Sequence, residues 1–257
     1  MSDAEQSLDQ LALRRYQRDG YMVVPGLCPA ALVDDIVRAA RAHLRPLVGP
    51  AEFEADVGYP GAPASRAAPG GDTPRRLLHA YARHEAFRRW STGAPVKAAL
   101  AQLFGTSAVQ LSQAHHNCVM TKHPGYSSKT MWHQDVRYWS FDRPELVSVW
   151  LALGHEDASN GALQVIPGSH NIYFDRGRLD RDLFLRQDLA ANRQLIDSAV
   201  TVELEAGDVL FFSCNLFHAA GKNATDEVKL SFVTTYHTAD NRPIPDTRSA
   251  LYPSAAL

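Results

Sequence analysis

Long apolar runs are missing from this chain of 257 residues, and so is any imbalance of charge. No stretch approaches the roughly 20 apolar residues that a membrane-spanning helix needs. Lys and Arg number 26 against 28 Asp and Glu, a formal net charge of −2. That leaves no basic field for nucleic acid and no polybasic patch for a membrane surface. Cysteine is scarce: Cys28, Cys118 and Cys214 are an odd number without CxxC spacing, which argues against a disulfide framework and a structural zinc site. Residues 1–6 are acidic and lack the basic segment and apolar run of a secretory signal. These absences predict a cytoplasmic protein that handles a small molecule, with no nucleic-acid and no membrane partner. They say nothing about oligomeric state.

What is present is enough apolar material, 45% of residues, to bury a substantial core in one domain covering 1–257. Apolar periodicity predicts helices over 8–19, 30–44, 85–90 and 95–104, and a strand over 21–24. In the second helix Leu32, Ile36, Ala40 and Leu44 share a face. Between 49 and 74 the composition shifts to Gly, Pro, Ala and small polar residues. This reads as a long loop, a lid or a flexible insertion. From 109 to 238 strand-like runs dominate, with Gly207 and Asp208 turning the chain into 209–212. Helices followed by many short strands predict a mainly β fold with flanking helices, a double-sheet jelly roll.

The most informative residues are His133-Gln134-Asp135 and, far downstream, His218. On an extended segment, residues i and i+2 project to one side, so His133 and Asp135 can converge while Gln134 points away. Two imidazoles and one carboxylate hold Fe(II) on one face of an octahedron and leave three positions open. The bland alternative is a surface ion pair at 133 and 135 with a hydrogen-bonded core histidine at 218, since the chain has 11 histidines.

The flanking motifs narrow the choice. Trp132 to Trp139, Val149-Trp150-Leu151-Ala152-Leu153, Asn160-Gly161-Ala162-Leu163, Ile166-Pro167-Gly168-Ser169-His170 and Ala206-Gly207-Asp208 leading into His218 closely resemble the phytanoyl-CoA dioxygenase family. So does the opening Tyr16, Asp19-Gly20-Tyr21 to Gly26. The resemblance covers nearly the whole chain. It implies a cupin-like double-stranded β-helix, an iron triad of His133, Asp135 and His218, and Fe(II), 2-oxoglutarate and O2 as metal, co-substrate and oxidant. The implied reaction oxidises an unactivated C–H bond and releases succinate and CO2. Halogenating relatives replace the carboxylate ligand with a small residue, so Asp135 implies hydroxylation, desaturation or ring formation.

2-Oxoglutarate also needs a cation for its distal carboxylate, because a charge leaving water must be paired. In the family an arginine usually does this; here Lys229 stands eleven residues after His218. Lysine cannot make arginine's bidentate fork, so a hydroxyl neighbour is expected, Thr130 ahead of Ser231. Arg242 is the substitute if Lys229 is a solvated strand lysine. Trp150 matches a family tryptophan that packs along the co-substrate or serves as plain core. Cys118 corresponds to a pocket-lining position. His115 and His116 should point to opposite faces of their strand, so at most one faces the pocket. Ser169 and His170 fit a turn-stabilising role.

For the substrate, Arg137, Tyr138 and Trp139, with His79, Arg83 and the 49–74 segment, suggest an entrance suited to a polar or anionic metabolite. Two other classes remain open at this point: a non-oxidative metal-dependent hydrolase or isomerase on a cupin-like barrel, which needs a positioned general base, and a catalytically silent binding protein of the same fold.

Overall fold

Strand alternation in the second half of the chain organises the molecule. The computed structural model describes residues 8–257; the acidic opening at 1–6 lies outside them. The first half supplies α1 (Gln10–Asp19), β1 (Tyr21–Val24), α2 (Ala30–Leu44), β2 (Ala51–Phe53), β3 (Pro74–Leu78), α3 (Ala80–Arg83), α4 (Glu85–Ser91) and α5 (Ala94–Phe104). The second supplies β4 (Val109–Lys122), β5 (Thr130–His133), β6 (Val147–Ala152), β7 (Leu163–Val165), α6 (Ala190–Ile196), β8 (Val200–Thr201), β9 (Val209–Ser213), β10 (His218–Ala220), β11 (Lys229–Thr238) and β12 (Ala255–Ala256). A major sheet runs β1-β9-β6-β11-β4-β3-β2, with β12 also paired to β4, and a minor sheet runs β5-β10-β7-β8. Every pairing is antiparallel. Two sheets with helices outside one of them are the jelly roll the sequence predicts.

The major sheet is buried on both faces, and the two-residue period separates them. Leu230, Phe232 and Tyr236 of β11, with Val147, Val149 and Leu151 of β6, join Ile36, Phe87, Trp90 and Leu100 in a core under the helices. Phe87 and Phe232 meet edge to face, ring centroids 5.1 Å apart. On the opposite face Val233, Trp150, Leu210 and Phe212 pack against Leu163, Val165 and Ala220 of the minor sheet. Lys229 and Ser231 share the inner face with Val233 and therefore lie between the sheets.

Several local expectations need correcting. In α2 the buried face is Val33, Ile36, Ala39 and Ala40, with Leu32 and Leu44 only partly buried against the core. The stripe is rotated slightly because α2 meets both the sheet and α4. The segment 49–74 is not a plain loop: β2 pairs with β3, and Arg66 bonds Asp56 while lying 3.4 Å over the Phe53 ring. Its short Ala-Glu-Phe strand carries no β-branched residue that would announce it. Helix α6 has no counterpart in the predicted elements; its seven residues are too few to show a period. Among the described residues no helix is long and apolar enough to cross a membrane. Cys28, Cys118 and Cys214 are all buried and free.

The Pro167-Gly168-Ser169-His170 turn is the brace that aligns β10. It grips the end of α1, where Gly168 N–H donates to Asp19 O at 2.8 Å and His170 Nε2 lies 3.2 Å from Gln17 O. Gly20 ends that helix at φ +81°, and a Cβ there would fall 2.5 Å from His170 Nδ1, so only glycine fits. The Ser169 hydroxyl accepts the Phe217 N–H at 2.9 Å, one residue before His218. This is the turn-stabilising role its motif suggests. Ser169 is fully buried, so Ser169→Ala leaves the Phe217 donor unsatisfied and should lower unfolding free energy by about 1–3 kcal/mol. Urea denaturation followed by circular dichroism measures it; an unchanged midpoint would remove Ser169 from this role.

Candidate active site

His133 ends β5 and His218 begins β10, and the two are direct partners across that antiparallel pair. Their rings lie 4.2 Å apart. After Gln134, which is extended at φ −108° and ψ 138°, the chain enters a 3-10 turn at Asp135–Tyr138. The carboxylate thus swings back to the histidines: Asp135 Oδ1 is 3.6 Å from both His133 Nε2 and His218 Nε2. One donor atom from each of the three lies within 4.8 Å of the others, and all three residues are buried. Gln134 points away, to the Asn215 carbonyl.

Hydrogen bonding sets the tautomer of both rings. His133 Nδ1 lies 2.8 Å from Met131 O and His218 Nδ1 lies 3.0 Å from Leu216 O. A carbonyl only accepts, so each Nδ1 carries the proton and each Nε2 lone pair is free for a cation. Burial, followed by the field of His133, pushes the His218 pKa down to about 4, so the ring is neutral at pH 7. Burial alone would raise the Asp135 pKa, but the fields of His116 and His218 and the hydrogen bond with His133 hold it below the usual carboxylate range. Two Nε2 atoms turned toward one ionised carboxylate can hold a divalent ion.

A narrow pocket adjoins the triad and draws on both sheets. Arg75, Lys122, Thr130, Trp150 and Lys229 line it with His133 and His218. Lys229 is buried, which removes the reading as a solvated strand lysine. Its Nζ donates to Glu156 Oε2 at 2.8 Å and to Ser231 Oγ at 3.1 Å. Ser231 Oγ in turn donates to Glu156 Oε1 at 2.6 Å, and the Trp150 indole N–H donates to the same carboxylate at 3.1 Å. The hydroxyl neighbour of Lys229 is therefore Ser231, reversing the expected order, because residues i and i+2 of β11 share a face. Thr130 instead accepts from Arg75 Nη2 at 3.1 Å. Arg242 is exposed; its backbone pairs with Asp142, and it lines neither cavity beside the triad.

Lys122 is the register partner of Lys229 across β4 and β11. Its Nζ donates to Gly221 O at 2.5 Å and Ser128 O at 3.3 Å, with no carboxylate in ion-pair range among the described residues. Burial, then the field of Arg75, pushes its pKa down to about 7. Arg75 is only loosely balanced, 3.6 Å from Glu54 and 3.5 Å from Glu52.

A second cavity of about 280 Å³ shares His133, His116 and Arg76 with the pocket and reaches Asp135; Tyr59, Trp139 and Arg248 stand along it. Both His115 and His116 line it, contrary to strand alternation. The β4–β11 register jumps from Asn117↔Thr234 to Ser112↔Thr235, so residues 113–116 have no partner on β11 and bulge out of the pleat. Cys118 lies here, not in the narrow pocket, and burial pushes its thiol up to about 11. Tyr138 and Trp139 line the cavity as expected. Arg137 does not: it stacks 3.7 Å over Phe184 and donates to Asp182 O. Arg83 is turned onto the carbonyls of Leu78, Val48 and Pro50, and His79 packs against Tyr252.

Glu156, Arg75, Lys122, Tyr59 and Arg248 are the site residues that sequence reasoning missed. Asn160-Gly161 marked a turn near Glu156, but nothing local reveals a partner 73 positions away. Lys122 carried one signal, since β4 alternation places it on the same side as Met120 and Cys118.

Comparisons with known proteins agree with this geometry. The family model described as phytanoyl-CoA dioxygenase matches residues 16–231. Ectoine dioxygenase of Stutzerimonas stutzeri (strain A1501) is 24% identical over 249 residues, covering 89% of this chain and 76% of its own length. The structure of EctD from S. alaskensis with 2-oxoglutarate and 5-hydroxyectoine superposes with a TM-score of 0.75 at 23% identity, over 98% of this chain and 84% of that one. The epimerase SnoN, in complex with Fe3+, alpha ketoglutarate and nogalamycin RO, gives 0.73 at 24% identity, over 94% and 87%. With the matched region spanning both metal-bearing segments, the chain belongs to the phytanoyl-CoA dioxygenase family.

Proposed function

We propose that this chain is an Fe(II)- and 2-oxoglutarate-dependent dioxygenase that hydroxylates an unactivated C–H bond of a small polar or anionic metabolite. The observation that carries the reading is the convergence of two Nε2 lone pairs and one ionised carboxylate beside a pocket lined with cations. This N,N,O donor set, with both Nδ1 protons already engaged, fits Fe(II) and leaves open positions. Bound there, Fe(II) supplies the O2 chemistry, in which substrate, 2-oxoglutarate and O2 give hydroxylated product, succinate and CO2, with one oxygen atom entering each of the first two.

The protein's own residues bind and orient. Lys229 has three donors; Glu156 and Ser231 occupy two, and the third serves the distal carboxylate of 2-oxoglutarate. Arg75, Thr130 and Lys122 complete that end, and the Trp150 indole forms a wall. At about 50 Å³ the pocket has space for only a few waters. Binding therefore draws Arg75 and Lys122 away from Thr130 and the Gly221 carbonyl. The second cavity takes the substrate, and the 49–74 segment, which contributes Val57 and Tyr59 to its wall, acts as its lid. A hydrolase would need a free general base, yet Glu52, Glu54 and Glu156 are each paired with a cation.

His133→Ala, Asp135→Ala and His218→Ala should each abolish Fe(II) binding, read from the anaerobic visible band formed with 2-oxoglutarate, and with it succinate formation. The folded far-UV spectrum should persist. Near-wild-type turnover in any of the three at limiting iron would refute the triad.

Glu156→Gln leaves a buried lysine uncompensated and should cost about 3–5 kcal/mol of stability. The double variant Lys229→Met/Glu156→Gln removes charge from both partners, so it isolates what Lys229 contributes to co-substrate binding. Its 2-oxoglutarate affinity, measured by calorimetry on metal-loaded protein, should fall roughly ten- to a hundred-fold. Unchanged affinity would transfer the anchor to Arg75 and Lys122.

Lys122 adds a pH signature. With its pKa held at about 7 in the free protein, it is largely neutral at higher pH, and an arriving carboxylate raises that pKa and draws in a proton. Affinity for 2-oxoglutarate should therefore weaken as pH rises from about 7 to about 9. Calorimetry in buffers of different ionisation enthalpy should register the uptake, which Lys122→Met should eliminate.

A further inference from the structure

The substrate-side cavity has one wall supplied by the last turn of the chain, and that turn is pinned. Ser249 is buried; its hydroxyl accepts the Ser140 N–H at 2.8 Å and lies 2.7 Å from His115 Nε2. Downstream, Gln113 Nε2 donates to Pro253 O at 2.8 Å, and β12 pairs with β4 through Ala255↔Leu111 and Ala256↔Gln110. Arg248, which opens the 3-10 turn immediately before the first of these anchors, faces the cavity and is otherwise exposed. Its guanidinium makes no hydrogen bond and no ion pair among the described residues. Some surface arginines elsewhere find carboxylates, Arg66 with Asp56, Arg143 with Asp240 and Arg186 with Asp188, whereas the exposed Arg14, Arg15, Arg41 and Arg45 have none in ion-pair range among the described residues. The other cation on this cavity, Arg76, is 3.4 Å from Glu52.

The neighbouring walls are flat and aromatic. Trp139 stacks on His115, centroids 5.1 Å apart and planes 29° from parallel, and His116 meets the same indole edge-on at 5.5 Å. Tyr59, from the 49–74 segment, and Tyr138 are the other rings. A volume near 280 Å³ lies at the small end of organic-ligand sites, which begin at about 300 Å³. A cation without a partner, carried on a pinned turn beside rings, recognises a compact anion with a flat body.

We propose that the substrate oxidised at this site is a small carboxylic acid with an aromatic or otherwise planar body, the body lying against Trp139 and Tyr59 and the carboxylate pairing with Arg248. This rests on the oxygenase reading and names the substrate class for it. Pairing at Arg248 anchors one end of the molecule at the mouth of the cavity, so its far end extends toward Asp135 and the metal position. Arg248 acts as a specificity-determining residue and touches no reacting atom.

The test uses enzyme loaded with Fe(II) and 2-oxoglutarate and kept anaerobic, so that binding is read without turnover. The probes are 3-phenylpropionate, cinnamate and indole-3-acetate, each beside its neutral primary amide, followed by calorimetry. The expected result is that acids of this set bind roughly ten- to a hundred-fold more tightly than their amides. Arg248→Gln should erase that preference while leaving amide binding alone, and Arg248→Lys should retain part of it. The proposal is overturned if no acid outbinds its amide, or if Arg248→Gln keeps the preference. 2-Oxoglutarate affinity, measured first on the same samples, should be equal in wild type and Arg248→Gln. If 2-oxoglutarate fails to bind metal-loaded wild type, the oxygenase reading falls and Arg248 is not the cause.

Discussion

The direct opposition of His133 and His218 across β5 and β10 is the constraint on which the site depends. A one-residue slip in an antiparallel pair turns every side chain to the other face, and here it would point one imidazole out of the barrel. The register is held from outside the pair. Phe217 is fixed by Ser169, the Ser169 turn is fixed to the end of α1, and Gly20 gives that turn room. The opening of the chain and the motif near residue 168 thus act together on a histidine far from both. The 3-10 turn after Gln134 then brings the Asp135 carboxylate to the same point.

Around this centre the protein carries many buried charges, and their arrangement follows from the cost of leaving any one alone. An uncompensated buried ion costs several kcal/mol. Lys229 has Glu156 at close range, and Arg75 has Glu54 and Glu52 at longer range. Lys122 has only carbonyls and responds by lowering its proton affinity. The result is a pocket lined by Arg75, Arg76, Lys122 and Lys229, a set of cations that suits a dianion. On the other side of His133 the balance differs: rings stand beside the charges, and Arg248, a cation without a partner among the described residues, stands at the rim.

Two segments outside the barrel pattern contribute to the wall of the second cavity. The 49–74 segment brings Tyr59 against Phe184 and under Arg75, and the last residues bring Arg248 through Ser249 and β12. Neither is held by a large apolar face; polar contacts and short strand pairings position them. The barrel fixes the metal position, and the added segments shape what reaches it.

Patterns repeated at short range were legible in the sequence by itself. The strand-like runs of 109–238, the helix of Ala30–Leu44, the glycine turn before β9 and the spacing of His133 and Asp135 all express geometry within a few residues, so they pointed to the jelly roll and to a metal set. Lys229 was singled out through the family resemblance, which places a cation eleven residues after His218. The tertiary structure alone decided what depends on partners far apart in the chain. Glu156 meets Lys229 across 73 positions and Arg75 meets Thr130 across 55. The four unpaired residues 113–116 put both His115 and His116 on one cavity because β11 has nothing to pair with them. Burial and charge pairing are properties of the assembled sheets, so the identity of the groups that line the two cavities emerges only when those sheets close.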